Sequence, residues 1–350
     1  MNYQIIVSEQ TFKKAEQYLK DLQSGSSAGF YLTQKLFVNI NTISTNQLLE
    51  LLLNTKQPQI FAESSIKGDG SDWNLTELSI LGDISIAVDV KIFDNGAHSN
   101  PIIHKSPIDG TLVFTPGALL RCDFGFTPAD WNEVTLKNNL NDEGFLSLYL
   151  RRLLPVFQHI NQVLKSKNKQ GIITIPGLGC GQFAGKFFGQ LGTKLESALI
   201  RIIEEYGNQF TNINAIYFDP YNESTNKRFK INDINILVRP LLQGNQDKSQ
   251  LSHPTALEDP EDDFSELKLF SIVAWDHVSW PGNDFYIGSR LTDDGVKAAA
   301  TNSMEVITGI KGKYDNYSNK FLPPANYKNW FDAVITNDVK LILKGNLRVF

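Results

Sequence analysis

Apolar residues recur at helical spacing near the start of the chain. Between residues 8 and 23 they repeat every three or four positions, with Ser8 in front of them and Gly25 just beyond. Serine before the first turn and glycine after the last are typical helix caps. Residues 45–53 repeat the pattern over a shorter length. We interpret residues 1–60 as an N-terminal helical extension that packs on a main domain, residues 61–350.

Further along, the pattern changes to apolar runs that are typical of strands. The segment LSILGDISIAVDVKIF covers residues 78–93, and GTLVFTP follows the turn-forming pair Asp109-Gly110. Both are predicted to be strands, the second one after a turn. Because polar alternation is imperfect in both, we expect a sheet that is covered on both faces.

The middle of the chain predicts a βαβ unit. Helical periodicity over residues 145–164, interrupted at Pro155, precedes the β-branched run GIITIP at 171–176. A glycine-rich loop, an apolar helix over residues 187–206 and the strand INAIYFDP at 213–220 follow. Strand, helix and strand in this order build a parallel sheet. The predicted fold class is therefore α/β, with a mixed or parallel sheet and helices on both faces.

The composition changes again at residues 243–266, which hold few large apolar side chains and many acidic ones. This composition indicates a mobile acidic insertion whose carboxylates are solvated. The strand LKLFSIVAW follows it. Beyond the next loop, a helix is predicted from about Asp294 to Thr308, with Gly309 as its stop.

Composition and charge narrow the possible functions. The 350 residues are 41% hydrophobic, enough for a large core, and a formal net charge of −5 argues against a broad nucleic-acid-binding surface. Two cysteines and five histidines show neither a disulfide framework nor metal-ligand spacing. No apolar run reaches the roughly 18 residues of a membrane span. We expect a soluble, cytoplasmic protein that binds no metal, nucleic acid or membrane.

A glycine-bearing loop follows the strand at 171–176. In IPGLGCGQFAGK, Gly177, Gly179 and Gly181 allow backbone amides to turn inward at the start of the next helix, where the helix dipole favours an anion such as a diphosphate. The spacing matches neither the P-loop nor the dinucleotide-binding GxGxxG motif. From the glycines alone, a tight strand-to-helix turn explains the loop equally well.

A second loop is unusually acidic. WDHVSWPGNDFYIGSRLTDDG, residues 275–295, places aspartates among tryptophans, glycines and a proline. Neighbouring carboxylates repel each other and are costly to shelter, so a ligand or a reaction would explain them. Simpler interpretations stay open, because Asp294 can cap the following helix and Trp275 and Trp280 can be core residues. Asp123, Asp130 and Glu133 look like ordinary solvated loop acids.

These two loops resemble known sequences. IPGLGCGQFAG resembles the phosphate-binding loop of macrodomains, α/β modules that hold ADP-ribose, and IYFDPYN is similar to the strand end whose aromatic residue flanks their adenosine. The stretch WDHVSWPGNDFYIGSRLTDDGVKAAATNSM strongly resembles bacterial effector macrodomains of the MavL type. The chain lacks the Asn-Ala-Ala-Asn run of ordinary macrodomains. The fold that the resemblance implies is a macrodomain-like sheet in the main domain.

The resemblance also implies an activity and a site. Members of the MavL group are similar to enzymes that remove ADP-ribose from arginine, notably arginine of ubiquitin. Their three functional aspartates match Asp276, Asp284 and Asp294, which are expected to be catalytic. The residues expected to bind ADP-ribose are Gly177, Leu178, Gly179, Cys180, Gly181, Gln182, Phe183, Phe218, Asn283 and Asp293.

Carboxylates suit this chemistry. Cleaving an N-glycosidic bond passes through a cation-like centre, which carboxylates stabilise while one of them deprotonates water. They also pair with a guanidinium in planar geometry. We expect Asp284 nearest the guanidine or the attacking water, with Asp276 and Asp294 on the ribose hydroxyls and the guanidine.

The expected partners are ADP-ribose, an ADP-ribosylated protein such as ubiquitin, and a ubiquitin-pathway protein, in a host cytosol if the protein is secreted. No cofactor is expected. Two other functions stay open, a reader that binds ADP-ribose without cleaving it and a phosphoesterase that uses the aspartates to bind Mg²⁺. Phe183 and Phe218 fit a plain core as well as an adenine site, and Cys180 has no partner base nearby in sequence.

Overall fold

The computed structural model describes residues 3–36, 39–60 and 63–350. In this part of the chain the strands are β1 (Tyr3–Val7), β2 (Ser85–Asp94), β3 (Ile103–Pro116), β4 (Thr135–Leu136), β5 (Asn139–Leu140), β6 (Gly171–Pro176), β7 (Ile213–Asp219), β8 (Lys227–Ile231), β9 (Ile234–Val238), β10 (Lys268–Trp275), β11 (Lys313–Asp315), β12 (Lys320–Leu322) and β13 (Leu347–Val349). The α-helices are α1 (Glu9–Gln23), α2 (Phe30–Thr33), α3 (Thr45–Leu53), α4 (Leu75–Leu81), α5 (Trp131–Val134), α6 (Asp142–Ser166), α7 (Leu191–Tyr206), α8 (Asp293–Ala299), α9 (Ser303–Thr308) and α10 (Trp330–Thr336).

One mixed sheet organises the molecule. Its nine strands lie in the order β13-β1-β2-β3-β10-β6-β7-β9-β8. The central strands β3, β10, β6, β7 and β9 are parallel to one another, whereas β2 pairs antiparallel with β3 and β8 pairs antiparallel with β9. The carboxyl ends of the parallel strands therefore meet at one edge, where ligands of such sheets usually bind.

Helices cover both faces of this sheet. The core on one face contains buried residues of α1, α3, α4 and α8 to α10, and the core on the other face contains those of α6 and α7. Neighbouring residues of β2 alternate between the two cores, with Ile86 and Val88 on one side and Ala87 on the other. The predicted α/β class with helices on both faces is confirmed.

The predicted βαβ unit is confirmed as well. β6 and β7 pair in parallel, with α7 between them in sequence. The predicted strands GIITIP and LKLFSIVAW correspond to β6 and β10. The interruption expected at Pro155 is absent, since α6 continues through this residue. Pro155 is buried, so tertiary packing there offsets the lost backbone hydrogen bond.

Two strand predictions were wrong in part. The first half of LSILGDISIAVDVKIF is the helix α4, because Asn74 and Glu77 form a capping box in front of it, with Glu77 N donating to Asn74 Oδ1 at 2.9 Å. The turn expected at Asp109-Gly110 lies inside β3. Gly110 is needed there for close packing, because a Cβ would lie 2.6 Å from the Cδ1 atom of Ile92.

The helix predicted over residues 294–308 is divided into α8 and α9. The backbone between them pairs with β2, where Phe93 N donates to Ala300 O at 2.8 Å and Ile92 forms a bridge with Thr301. These bonds to the sheet replace helical ones. The predicted stop at Gly309 is present, with this residue in the left-handed region at a φ of 73°.

The N-terminal segment contains the two predicted helices α1, capped by Ser8, and α3, with the predicted bounds Thr45–Leu53. It also contains β1, which the sequence patterns did not predict and which pairs with β2 and β13 in the main sheet. The segment expected to be a helical extension therefore also contributes a strand to the sheet.

Residues 243–266 pack against the rest of the molecule. Leu251, Leu257 and Phe264 are buried in the core. Two acids that were expected to be solvated are paired instead, since Arg228 bonds both Asp259 and Asp262 at distances of 2.7–2.9 Å. Three large apolar side chains are enough to anchor this segment. Because they are so few, the composition did not predict that the segment is packed.

In the described part of the chain, no helix combines the length and the apolar character that crossing a membrane would require.

Candidate functional site

The glycine-bearing loop and the acidic loop lie at the same edge of the sheet. The first follows β6 and the second follows β10, and these two strands are parallel neighbours. The rings of Phe183 and His277, one from each loop, have centroids 6.5 Å apart. The two segments that the sequence marked as candidates are thus brought together.

The glycine-bearing loop packs closely against the loop after β3. A Cβ on Gly117 would lie only 2.2 Å from Gly179 N, and Gly179 itself has a φ of 73°. Tyr149 joins the two loops, since its hydroxyl donates to Leu178 O at 2.5 Å and accepts from Ala118 N at 3.1 Å. The conformation of the loop is therefore held by the backbone on one side and by a buried tyrosine on the other.

The backbone after this loop differs in part from the prediction. A 3-10 helix, Gln182–Phe187, follows directly, and the long helix α7 begins only at Leu191. Within the described chain, the amides of Gly179 and Gly181 donate no hydrogen bond to another residue. They remain available for an anion, although the anion would face a short 3-10 turn instead of the end of α7.

A cleft of about 390 Å³ opens beside this loop. Its lining includes the side chains of Trp131, Arg121 and Lys186. The Arg121 guanidinium bonds both Asp123 and the side-chain oxygen of Gln182. Lys186 thus adds positive charge to this cleft, whereas the charge of Arg121 is paired with Asp123.

Asp276 is the most strongly hydrogen-bonded carboxylate of the acidic loop, and only 2% of it is exposed. It accepts from Val278 N at 2.7 Å, from Ser279 N at 2.6 Å, from the Ser279 hydroxyl and from Asn283 Nδ2 at 3.1 Å. These four donors fix the position of the Asp276 carboxylate within the loop.

Asp294 has a free oxygen in a buried position. Its Oδ1 accepts from Gly282 N at 2.6 Å, while its Oδ2 has no hydrogen-bond partner among the described residues. Burial and the charge of Asp276 raise the pKa of Asp294 well above its usual value. It lies at the start of α8, but the side chain that caps this helix belongs to Thr292. The alternative interpretation of Asp294 as the helix cap is therefore wrong.

Asp284 is occupied by its own loop. Its Oδ2 accepts from Leu291 N at 2.9 Å, and its Oδ1 accepts from the Thr292 hydroxyl. It also packs against Gly295, where a Cβ would lie 2.0 Å from Asp284 Oδ1. The contacts of Asp284 thus organise the turn that leads into α8.

Two functional candidates come from the N-terminal part of the chain, and the sequence analysis missed both. Lys56 is buried, donates to His277 O at 2.6 Å and lies 4.0 Å from the ring centroid of Trp275. Glu63 is buried and accepts from Asn283 Nδ2 at 3.2 Å. No motif signals either residue, because both reach the acidic loop only through contacts across about 220 positions of sequence.

Carboxyl groups outnumber amines in this buried cluster. Burial lowers the pKa of Lys56 to about 7, against the attraction of Asp276, Glu63 and Asp294. Burial and the neighbouring Asp276 raise the pKa of Glu63 well above its usual value. Three buried carboxyl groups thus surround one amine, an arrangement that a further cation would stabilise.

A second buried network connects the acidic loop to the loop after β3. Asp130 accepts from Arg152 Nη2 at 2.7 Å and from Leu119 N at 2.8 Å, and its Oδ2 lies 3.1 Å from His277 Nε2. Arg152 also donates from Nε to Asp83 Oδ1 at 3.2 Å. The expectation that Asp130 and Glu133 are solvated acids was wrong, since Glu133 pairs with the buried Arg151.

The other expected binding residues differ in accessibility. Gln182 and Gly181 are exposed, and Phe183 is half-buried. Leu178, Cys180 and Phe218 are buried within a hydrophobic core. For Phe218 this agrees with the alternative interpretation of a plain core residue. Burial raises the pKa of the Cys180 thiol, which disfavours the thiolate. Asp293 accepts from Ala274 N at 2.8 Å and pairs with Lys297.

The two tryptophans of the acidic loop pack in the core beside the site. Trp275 and Trp280 are both buried in the core, and the Trp280 indole donates to Lys56 O at 3.1 Å. Among the described residues, no group of three or more histidine, cysteine, aspartate or glutamate side chains is arranged to hold a metal ion.

Comparison with known proteins gives one family. A family model described as "Macrodomain effector MavL" matches residues 3–327, which includes the whole sheet except its edge strand β13 and every residue of the candidate site. No curated protein matches the chain.

Proposed function

The chain belongs to the MavL family of macrodomain effectors, and from this premise we propose that it hydrolyses the bond between ADP-ribose and arginine on a modified protein. The family match and the mixed sheet give it a macrodomain-like fold and a function related to ADP-ribose. Hydrolysis and the arginine linkage are the parts that we propose.

The excess of buried carboxyl groups over buried cations carries the proposal. Asp276 and Asp294 lie in one buried cluster with Glu63, and Lys56 is a cation that faces all three. A guanidinium that entered beside Asp294 Oδ2 would find a hydrogen-bond acceptor without a partner. Its charge would also lower the raised pKa of Asp294 and stabilise the ionised form. Glutamate- and serine-linked ADP-ribose provide no such cation.

The reaction follows from this placement. The bond between C1″ of the ribose and the guanidine nitrogen breaks, and its electron pair stays on the nitrogen. A water oxygen bonds to C1″, and Asp294 accepts one proton of this water. That proton then passes to the neutral guanidine, which leaves as a guanidinium. Asp276, fixed by four donors, stabilises the cation-like ribose in the transition state.

This assignment modifies the roles expected from the sequence. Asp284 was expected nearest the water or the guanidine, yet the loop occupies both of its oxygens. We therefore assign the contact with water to Asp294 and give Asp284 the task of shaping the turn.

The other edge of the site would hold the nucleotide. The free amides of Gly179 and Gly181, with Arg121 and Lys186 on the outer side, suit a diphosphate. Phe183, which lies in this loop, is a half-buried aromatic ring that could contact the adenine. The proposed partners are an ADP-ribosylated protein, with ubiquitin as the first candidate, and a ubiquitin-pathway protein in a host cytosol.

Linkage specificity tests the proposal directly. The protein is incubated with separate substrates that carry ADP-ribose on arginine, glutamate or serine, and release is followed by mass spectrometry. We expect release from arginine only. Binding of ADP-ribose without release from any linkage would instead identify a reader, and release that stops on addition of EDTA would indicate a metal-dependent hydrolase.

A further inference from the structure

We propose that Glu63 is a positioning residue of the active site, and that its neutral carboxyl group and Asn283 together hold the Asp276 carboxylate in place. This inference rests on the proposed hydrolysis. It also makes the segment before α4 part of the site, although the acidic loop with which it acts lies more than 200 residues away in sequence.

The Asn283 side chain bridges the two carboxyl groups. Its Nδ2 lies 3.2 Å from Glu63 Oε1 and 3.1 Å from Asp276 Oδ2, so one amide group donates to both. Glu63 and Asp276 thus share one donor, and burial together with the charge of Asp276 raises the pKa of Glu63. Two buried carboxylates on one donor would repel each other, whereas an acid and a carboxylate would not.

The hydrogen bonds indicate which group holds the proton. Asp276 accepts from two backbone amides, a serine hydroxyl and Asn283, all of which stabilise its negative charge. Glu63 accepts from Asn283 alone among the side chains of the described chain, and burial raises its pKa well above the usual value. The proton therefore stays on Glu63. The charged groups that face it are Asp276 and Asp294 of the acidic loop and Lys56 of the segment after α3.

Unpartnered buried atoms show that this cluster is built to meet a ligand. Asp294 Oδ2 and Asn283 Oδ1 are both buried, and neither has a hydrogen-bond partner among the described residues. Buried polar groups are almost always paired, so two such atoms on neighbours of Asp276 indicate where a ligand's polar atoms would bind. Glu63 belongs to the same cluster, because it shares the Asn283 amide with Asp276.

Activity measurements on two variants separate positioning from a mere packing role. Glu63→Ala removes the acceptor that orients Asn283 and so displaces Asp276, and we expect turnover of ADP-ribosyl-arginine to fall by about 10- to 100-fold, the range expected when a catalytic group is displaced. Glu63→Gln keeps a neutral side chain whose oxygen can accept from Asn283 Nδ2, and it should recover most of this loss. Wild-type turnover should fall as pH rises through the raised pKa of Glu63, whereas Glu63→Gln should lack this fall.

The pH dependence of stability tests the proton on Glu63 without any substrate. A carboxyl group whose pKa is raised by folding costs stability increasingly as pH rises from its unfolded pKa to its folded pKa. Chemical denaturation should therefore show Glu63→Gln gaining stability over wild type as pH rises through this interval. Glu9→Gln, which removes the same charge at an exposed position paired with Lys13, should show no such gain.

Each outcome bears on one claim. An active wild-type protein with Glu63→Gln as inactive as Glu63→Ala would overturn the positioning role alone. A stability difference that stays constant with pH would overturn the neutral state of Glu63. A wild-type protein that releases ADP-ribose from no linkage would defeat the proposed function, and the positioning role would fall with it.

Discussion

Replacement of Asp294 by asparagine is expected to slow the release of ADP-ribose from arginine by about 10²- to 10⁴-fold, the range seen when a general base is removed. The amide cannot accept the proton of the attacking water. Asparagine is close in shape to the neutral acid, and its oxygen can still accept from Gly282 N. The variant should therefore fold normally and bind free ADP-ribose, so that the loss appears in kcat.

Single-turnover kinetics and calorimetry measure these two properties separately. Asp338→Asn serves as the control, because Asp338 is an exposed partner of Lys340 and should keep wild-type kinetics. Full activity of Asp294→Asn would show that another group accepts the proton. A loss of ADP-ribose binding with unchanged kcat would place Asp294 in nucleotide binding instead.

Replacement of Asp130 by asparagine is expected to lower the free energy of unfolding by about 3 kcal/mol, the cost of breaking a buried ion pair by removing one partner. The variant would leave the Arg152 guanidinium buried with Asp83 as its remaining carboxylate. It would also loosen His277, whose ring nitrogen lies beside Asp130 and which follows Asp276 directly in sequence.

The effect should depend on pH. Burial alone would raise the pKa of Asp130, but Arg152 and His277 outweigh it and lower the pKa below its usual range. A depressed folded pKa contributes stability that is present above the unfolded pKa and is lost on acidification. The difference between wild type and Asp130→Asn should thus be largest near neutrality and shrink at acidic pH.

Urea denaturation across a pH series measures this difference. Asp109→Asn is the matched control, since Asp109 pairs with Lys91 on the surface at 2.7 Å, and exposed pairs contribute about 0–1 kcal/mol. Equal and small effects of the two substitutions would contradict the view that the Asp130 network holds the acidic loop against the loop after β3.

The sequence predicted structure correctly where the local apolar pattern agrees with the position that the segment takes in the sheet. β6, β7 and β10 are short, strongly apolar runs buried on both faces, so their positions could be predicted, as could the parallel pairing of β6 with β7. Once these strands are neighbours, the glycine-bearing loop and the acidic loop must share an edge. The meeting of Phe183 with His277 follows from that topology.

Sequence patterns failed where tertiary contacts decide. Leu78 to Leu81 could be read as strand or helix, and the capping box at Asn74 selected the helix. Glu63 and Lys56 carry no local signal, because their role depends on contacts with the acidic loop. Asp130 was interpreted as a surface acid. It is buried because it pairs with the buried Arg152, which no local pattern indicates.

A crystal structure of Asp294→Asn with ADP-ribose tests the central claim most directly, which is that both loops bind one ligand. We expect diphosphate oxygens at hydrogen-bonding distance, about 2.7–3.2 Å, from the amides of Gly179 and Gly181. The ribose C1″ should lie beside residue 294 and the Asp276 carboxylate. A ligand whose C1″ points away from these groups, with its diphosphate bound elsewhere, would contradict the account.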